Sequence, residues 1–338
     1  MEEKPILVYR GEYIESGHDL HIAVVNTKGD LIAYYGDPNR QTFARSSMKP
    51  FQTVPVVQSG AIEQFNLTKK ELSLFCASHI GEPYHREAVL AVLKKIGLEE
   101  EDLQCGTHIP RHMESYEKLV KKGGELTPVY SNCSGKHSGM LSGVVMQEMD
   151  VSSYRDINHP YQQQILQVIE EISEYNKEKI GISVDGCGVP VHRMPLQKVA
   201  LLYSRLAKAE DWKTDNHSLQ ETLHKVSDAM MTHPEMVAGT KQFDTDLMAT
   251  FEKRIVSKGG AEGVHCFGDR ELGIGIAIKV ADGNARGTSV ASMEALKQLG
   301  IGSEKDWEKL ENYSKVPVLN AREERIGEIL PNFKLKFV

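Results

Sequence analysis

An α+β fold, with an antiparallel sheet flanked by helices, is predicted by where the chain puts its two kinds of periodicity. Alternating apolar runs bounded by turn signals stand near both ends, and apolar residues at three- and four-residue spacing dominate the middle. A sheet assembled from both termini, with helices packed on it, satisfies that pattern. No Pro/Gly/Ser-rich linker interrupts the chain, so residues 1–338 read as a single domain.

Taken in order, residues 21–36 read HIAVVNTKGDLIAYYG: two strand-like runs, the first ending near Val25, around an Asn26-Thr27-Lys28-Gly29-Asp30 turn. That is a β-hairpin signal. Helical patterns follow at 50–58, 87–96, 162–175, 196–209 and 218–231. Glycine-rich stretches between them read as loops: NCSGKHSG (132–139), VDGCGVPV (184–191) and SKGGAEG (257–263). The stretch GIGIAIKVADGNARG (273–287) is an alternating strand closed by an Asp-Gly turn. Such loops are where chemistry is expected.

Composition excludes some classes of function. With 40% hydrophobic and 26% charged residues, the chain has the make-up of a soluble globular protein. Charges sum to 40 − 47 = −7 with no basic block, which argues against nucleic acid. No apolar run approaches the roughly 20 residues of a membrane span. The start, MEEKPILVYRGEYIESGHD, is acidic and short of apolar residues, unlike a secretory signal, so the cytoplasm is the expected compartment. Five cysteines (Cys76, Cys105, Cys133, Cys187, Cys266) follow no disulfide-framework spacing and should be thiols or metal ligands.

The sharpest local signal is Arg45-Ser46-Ser47-Met48-Lys49-Pro50. A serine three residues before a lysine at a helix start puts the hydroxyl and the amine on one face. Positive charge at the helix start and a second cation can lower the lysine pKa until it accepts the serine proton. Alone, the same four residues also describe a solvated helix start. Farther on, Lys258-Gly259-Gly260 pairs a lysine with glycines that permit close approach to a ligand, or simply make a surface turn. Two segments compete for a second hydroxyl: Tyr130-Ser131-Asn132 and Cys76-Ala77-Ser78-His79. Spacing does not choose between Tyr130 and Ser78.

Cys133 and Cys187 lie 54 residues apart in glycine-rich stretches. They read either as buried thiols or, with Lys136 and His137 beside Cys133, as part of a nitrogen–sulfur metal set. No H-E-x-x-H or other close histidine pair on a helix occurs among the thirteen histidines. His18, His21, His217 and His224 read as solvated, and His79 as orienting a hydroxyl or making a structural hydrogen bond. Cys76, Cys105 and Cys266 read as small apolar packing groups.

Taken together and in order, RSSMKPFQ, CASHIGEP, CGTHIP, NCSGKHSGML, VDGCGVPV, HPEMVAG, FDTDLM and KGGAEG resemble the rhizobial-type (class 3, thermolabile) L-asparaginases, from about residue 7 to the C-terminal GEILP. The resemblance implies a serine β-lactamase/glutaminase-like fold and a homodimer. It implies two Ser-Lys tandems, Ser46 with Lys49 and Ser78 with Lys258. It implies zinc held by Cys133, Lys136 and Cys187, near the substrate but not activating the nucleophile. Asp185 falls where the family holds the α-amino group of the substrate, and His137 and Arg45 flank the site. One residue departs: Ser131 stands where the family is expected to carry asparagine.

The expected reaction is L-asparagine hydrolysis to L-aspartate and ammonia, with Ser46 as nucleophile and the reverse division between Ser46 and Ser78 left open. The rivals are a glutaminase or peptidoglycan-type acylase on the same scaffold, and a non-catalytic, metal-stabilised amino-acid sensor.

Overall fold

The computed structural model describes residues 4–338, and the alternating runs at both chain ends do form the sheets. Leu20–Asn26 and Leu31–Tyr35 pair antiparallel around the expected turn. The Asn26 side-chain oxygen accepts hydrogen bonds from the backbone N–H groups of Lys28 and Asp30, the local bond that makes asparagine a turn former. Ile274–Val280 pairs with Leu20–Asn26 on one side and with Val264–Asp269 on the other. Lys336–Phe337 and Ile255–Gly260 complete a six-stranded antiparallel sheet. The strands Val316–Leu319, Arg325–Pro331, Ile6–Arg10 and Tyr13–His18 pair with one another instead and form a separate four-stranded sheet. The architecture is α+β, antiparallel sheets flanked by helices.

The chain folds into two compact units. One comprises the chain up to Ser47 with Met194–Trp212 and Asp246–Val338, and the other comprises Met48–Arg193 with Lys213–Thr245.

In the first unit the helix Leu196–Ala207 lies against the six-stranded sheet so closely that a Cβ at Gly275 would stand 2.0 Å from the Ala200 carbonyl oxygen. A Cβ at Gly268 would likewise meet Tyr203 and Ala207. Side chains alternate across a strand, so His265 and Phe267 point to the opposite face. There His265 bonds Ser292 of the helix Thr288–Gln298, and the sheet is covered on both faces. His18, expected in solvent, is buried, its ring held between Asp282 and Arg286.

The second unit is mainly helical. The helix Ser134–Met146 runs through its centre, buried from Ser134 to Val144, and packs on Lys69–Phe75, Pro83–Lys95 and Pro160–Ser173. This corrects the reading of 132–139 as a loop. The glycines serve contact rather than flexibility: a Cβ at Gly135 would meet the Leu74 carbonyl oxygen at 2.5 Å, and one at Gly139 the Phe75 ring at 2.6 Å. The segment 257–263 is likewise not all loop, because Ser257–Gly260 belong to a strand. The helix read across 50–58 is broken into Lys49–Gln52 and Val54–Gln58. VDGCGVPV does turn, between the paired strands Gly181–Val184 and Pro190–Pro195.

Candidate active site

Lys49 opens the helix Lys49–Gln52, and its side chain is 1% exposed. A buried ammonium needs acceptors, and Lys49 Nζ has them on two segments. It donates to the Ala77 carbonyl, to Ser78 Oγ at 2.9 Å, and to the Asn132 carbonyl at 3.4 Å. Burial holds this amine below the ordinary lysine range, the Lys136 charge adding to that and the Cys133 sulfur opposing it.

Ser78 follows the end of the helix Lys69–Phe75, in a segment pinned by two backbone bonds. Ser78 N–H donates to the Val237 carbonyl at 2.8 Å, and Ile80 N–H to that of Ala238 at 3.0 Å. The next residue must be glycine. Gly239 has φ +120°, and a Cβ there would stand 2.5 Å from the Ile80 side chain. This gives HPEMVAG its physical meaning. Of the two candidate second hydroxyls, that of Ser78 accepts from Lys49, whereas the Tyr130 hydroxyl accepts from Arg86 at 2.7 Å.

The sulfur residues converge in the same unit. Cys133 caps the start of Ser134–Met146, and Cys187 sits in the 184–190 turn, both buried. A hydrogen bond from Cys187 takes the Cys133 thiol well below its usual range, against burial and with help from the Lys49 and Lys136 charges. That same bond, and burial, push the Cys187 thiol up. Lys136 Nζ donates to Cys187 Sγ at 2.9 Å. Burial alone would depress Lys136, but the charges of Cys187 and Cys133 outweigh it and raise its pKa.

Among the described residues no three His, Cys, Asp or Glu side chains gather to hold a metal. The buried set here is two cysteine sulfurs and the Lys136 amine: thiolates suit zinc, and Lys136 could ligate only after losing the proton its neighbours favour.

Asp185 lies half-buried at the head of the turn, accepting from Gly186 N–H at 2.8 Å and adding negative charge near Lys136. His137 is fully buried: its Nδ1 lies 2.6 Å from the Tyr154 hydroxyl, and burial lowers its pKa to about 4.

Arg45, Ser46 and Lys258 belong to the other unit. Ser46 is half-buried in the 3-10 turn Arg45–Met48. Arg45 has φ +51°, a left-handed conformation uncommon away from glycine and often found at functional sites. The turn is seated from both sides: Ser47 Oγ donates to the Lys258 carbonyl at 2.9 Å, and the Tyr203 hydroxyl donates to the Ser47 carbonyl at 2.6 Å. Lys258 is buried, its Nζ bonded to the Gly259 carbonyl at 2.6 Å.

Sequence reasoning missed two participants around Lys49. Asn132 supplies a carbonyl to Lys49, and its own N–H donates to His108 Nε2 at 2.9 Å. His79, read as orienting a hydroxyl or making a structural hydrogen bond, meets the Ser134 hydroxyl at 2.9 Å. The motif CGTHIP contained His108 without indicating what it touches.

The sequence profile of L-asparaginase II matches residues 6–331, nearly the whole chain. The chain belongs to the L-asparaginase II family. Family membership makes it an asparaginase-type amidohydrolase acting on a small molecule, in keeping with the motifs. No curated protein matches the chain significantly. A solved structure of a "putative beta-lactamase" from Bacteroides dorei is 10% identical, over 83% of this chain and 94% of its own, with a TM-score of 0.41. None of the helices among the described residues is long and apolar enough to cross a membrane.

Proposed function

We propose that the chain hydrolyses the side-chain amide of L-asparagine by acyl transfer through a serine. The observation that carries this is Lys49, a buried amine held below the ordinary lysine range and bonded to the Ser78 hydroxyl at 2.9 Å. An amine so placed acts as a general base once it has given up a proton.

Ser46 is the nucleophile in this reading. It stands three residues before Lys49, half-exposed and directly after the left-handed Arg45, the kind of sharp turn that presents a nucleophile. Ser46 Oγ attacks the amide carbon while Lys49 takes its proton. The tetrahedral adduct collapses, the C–N bond breaks, and ammonia leaves with a proton returned through Lys49 and Ser78. Lys258 is the second lysine of the resemblance and supports this relay. Water then attacks the aspartyl ester, Lys49 again accepting the proton; the C–Oγ bond breaks, Lys49 returns that proton to Ser46 Oγ, and aspartate leaves. Backbone N–H groups at the turn start, that of Ser46 among them, are the candidate oxyanion donors.

Asp185 is assigned to the α-ammonium group of the substrate, with Arg45 and His137 flanking. Cys133, Lys136 and Cys187 would hold zinc, whose positive charge would favour the polar end of the substrate. A cytoplasmic homodimer completes the reading.

One observation favours a second assignment of roles: the 2.9 Å bond from Lys49 goes to Ser78, so Ser78 could be the attacking serine. Ammonia release on mixing with asparagine, compared with glutamine, tests the substrate. Ser46→Ala should remove turnover by several orders of magnitude in a folded protein. Near-normal turnover in folded Ser46→Ala would pass the role to Ser78, and no release from asparagine by the unaltered chain would refute the reading.

A further inference from the structure

We propose that His79 is a positioning residue that sets the spacing between the two segments holding Lys49. The assignment rests on the Lys49–Ser78 relay proposed above. The acceptors of Lys49 come from 77–78 and from Asn132, segments more than 50 residues apart in sequence. His79 follows Ser78 directly, and Ser134 lies two residues beyond Asn132. Their side chains meet at 2.9 Å.

The Ser134 hydroxyl lies 3.2 Å from the Val129 carbonyl and can donate its one proton there while accepting from His79 Nε2–H. That pairing puts the ring proton on Nε2. Its Nδ1 is bare, buried and without a hydrogen-bond partner. Leaving such an atom unpaired is costly, and few native buried polar atoms are left so. What the ring gains is a fixed orientation. It stacks on His85, with centroids 4.8 Å apart and planes inclined by 13°. His85 is fixed in turn, its Nε2–H donating to the Glu235 carbonyl at 2.9 Å.

The backbone bonds to Val237 and Ala238 secure the Ser78 segment on one side. The His79–Ser134 bond ties it to the turn that carries Asn132 and Cys133. Without that tie Lys49 keeps its acceptors, but their relative placement loosens. Catalytic geometry is sensitive to such loosening, while ground-state binding through other groups is less so.

The test compares His79→Leu, His79→Gln, Ser134→Ala and the double variant His79→Leu/Ser134→Ala, each shown to be folded by its urea midpoint. Glutamine can place an N–H where Nε2–H stood. His79→Leu should lower kcat for asparagine by about 10- to 100-fold with KM changed less than about threefold. His79→Gln should recover most of the loss, Ser134→Ala should resemble His79→Leu, and the double variant should be no worse than His79→Leu. A folded His79→Leu within about twofold of the parent, no recovery by glutamine, or multiplying losses in the double variant would each overturn the assignment. If the unaltered chain is inert on asparagine, the substrate reading alone fails. Backbone amide exchange at 78–80 and 132–134 then decides: faster exchange in His79→Leu, restored in His79→Gln, supports the tie, and unchanged exchange overturns it.

Discussion

At the scale of the residue, Lys49 has the strongest chemical constraint. An ammonium at 1% exposure survives only where acceptors surround it, and the price of burial appears as a depressed pKa. Lys49→Met should therefore lower kcat by about 10²–10⁴-fold, the range of general-base contributions, with a smaller change in KM. Lys49→Arg should not restore it, because a guanidinium stays charged. Steady-state ammonia release measures both, and a folded Lys49→Met with near-normal kcat would show that this amine is not the base. The spacing of Ser46 and Lys49 was legible because three residues along one turn is a local relation. The bond from Lys49 to Ser78 was not, because 29 residues separate them and no periodicity links them. Tyr130 and Ser78 looked equivalent for the same reason.

At the scale of the element, the hairpin around Asn26-Asp30 and the longer helices could be read from period and turn chemistry, whereas the glycine-rich segments could not. Glycine signals a loop when conformation is at stake and a helix contact when space is at stake, and the sequence alone does not say which. Gly135 is of the second kind. Alanine there would gain about 1 kcal/mol of helix propensity, but its Cβ would stand 2.5 Å from the Leu74 backbone oxygen, which cannot swing aside. Gly135→Ala should therefore be destabilising by about 1–3 kcal/mol, read as a lower urea midpoint with an unchanged m-value. An equal or higher midpoint would mean the helices part without cost.

The proposed zinc acts at this scale too, because its ligands join a helix start to a hairpin turn across 54 residues. Protein purified without added metal should contain one zinc per chain. Cys133→Ala and Cys187→Ala should raise KM with a smaller fall in kcat, since uniform binding is lost. Zinc content near zero with full activity in chelator would return both cysteines to the role of packed thiols.

For the whole molecule, α+β architecture was legible because strands at both ends and helices between leave few ways to bury apolar faces. Its division into two compact units was not, since the chain passes between them without a compositional linker. Stability should depend on pH through buried neutral histidines. Burial lowers His85 and His192 from 6.5 to about 4. Between those values the unfolded chain binds protons that the folded one refuses. This stabilisation is full above pH 6.5 and is lost as pH falls towards 4, up to about 3 kcal/mol for each residue. Urea unfolding from pH 7.5 down to about 4 measures it, and in His85→Gln the acid loss should shrink. Unchanged pH dependence in that variant would remove His85 from the account.

The central claim is that Ser46 carries the aspartyl group from asparagine to water. Acid-quenching the protein during turnover and mapping the adduct by peptide mass spectrometry tests it most directly. The account predicts an aspartyl ester on Ser46, absent from Ser46→Ala and accumulating when water attack is slowed. An adduct confined to Ser78, or asparagine hydrolysis with no acylated serine under conditions that trap esters, would contradict it.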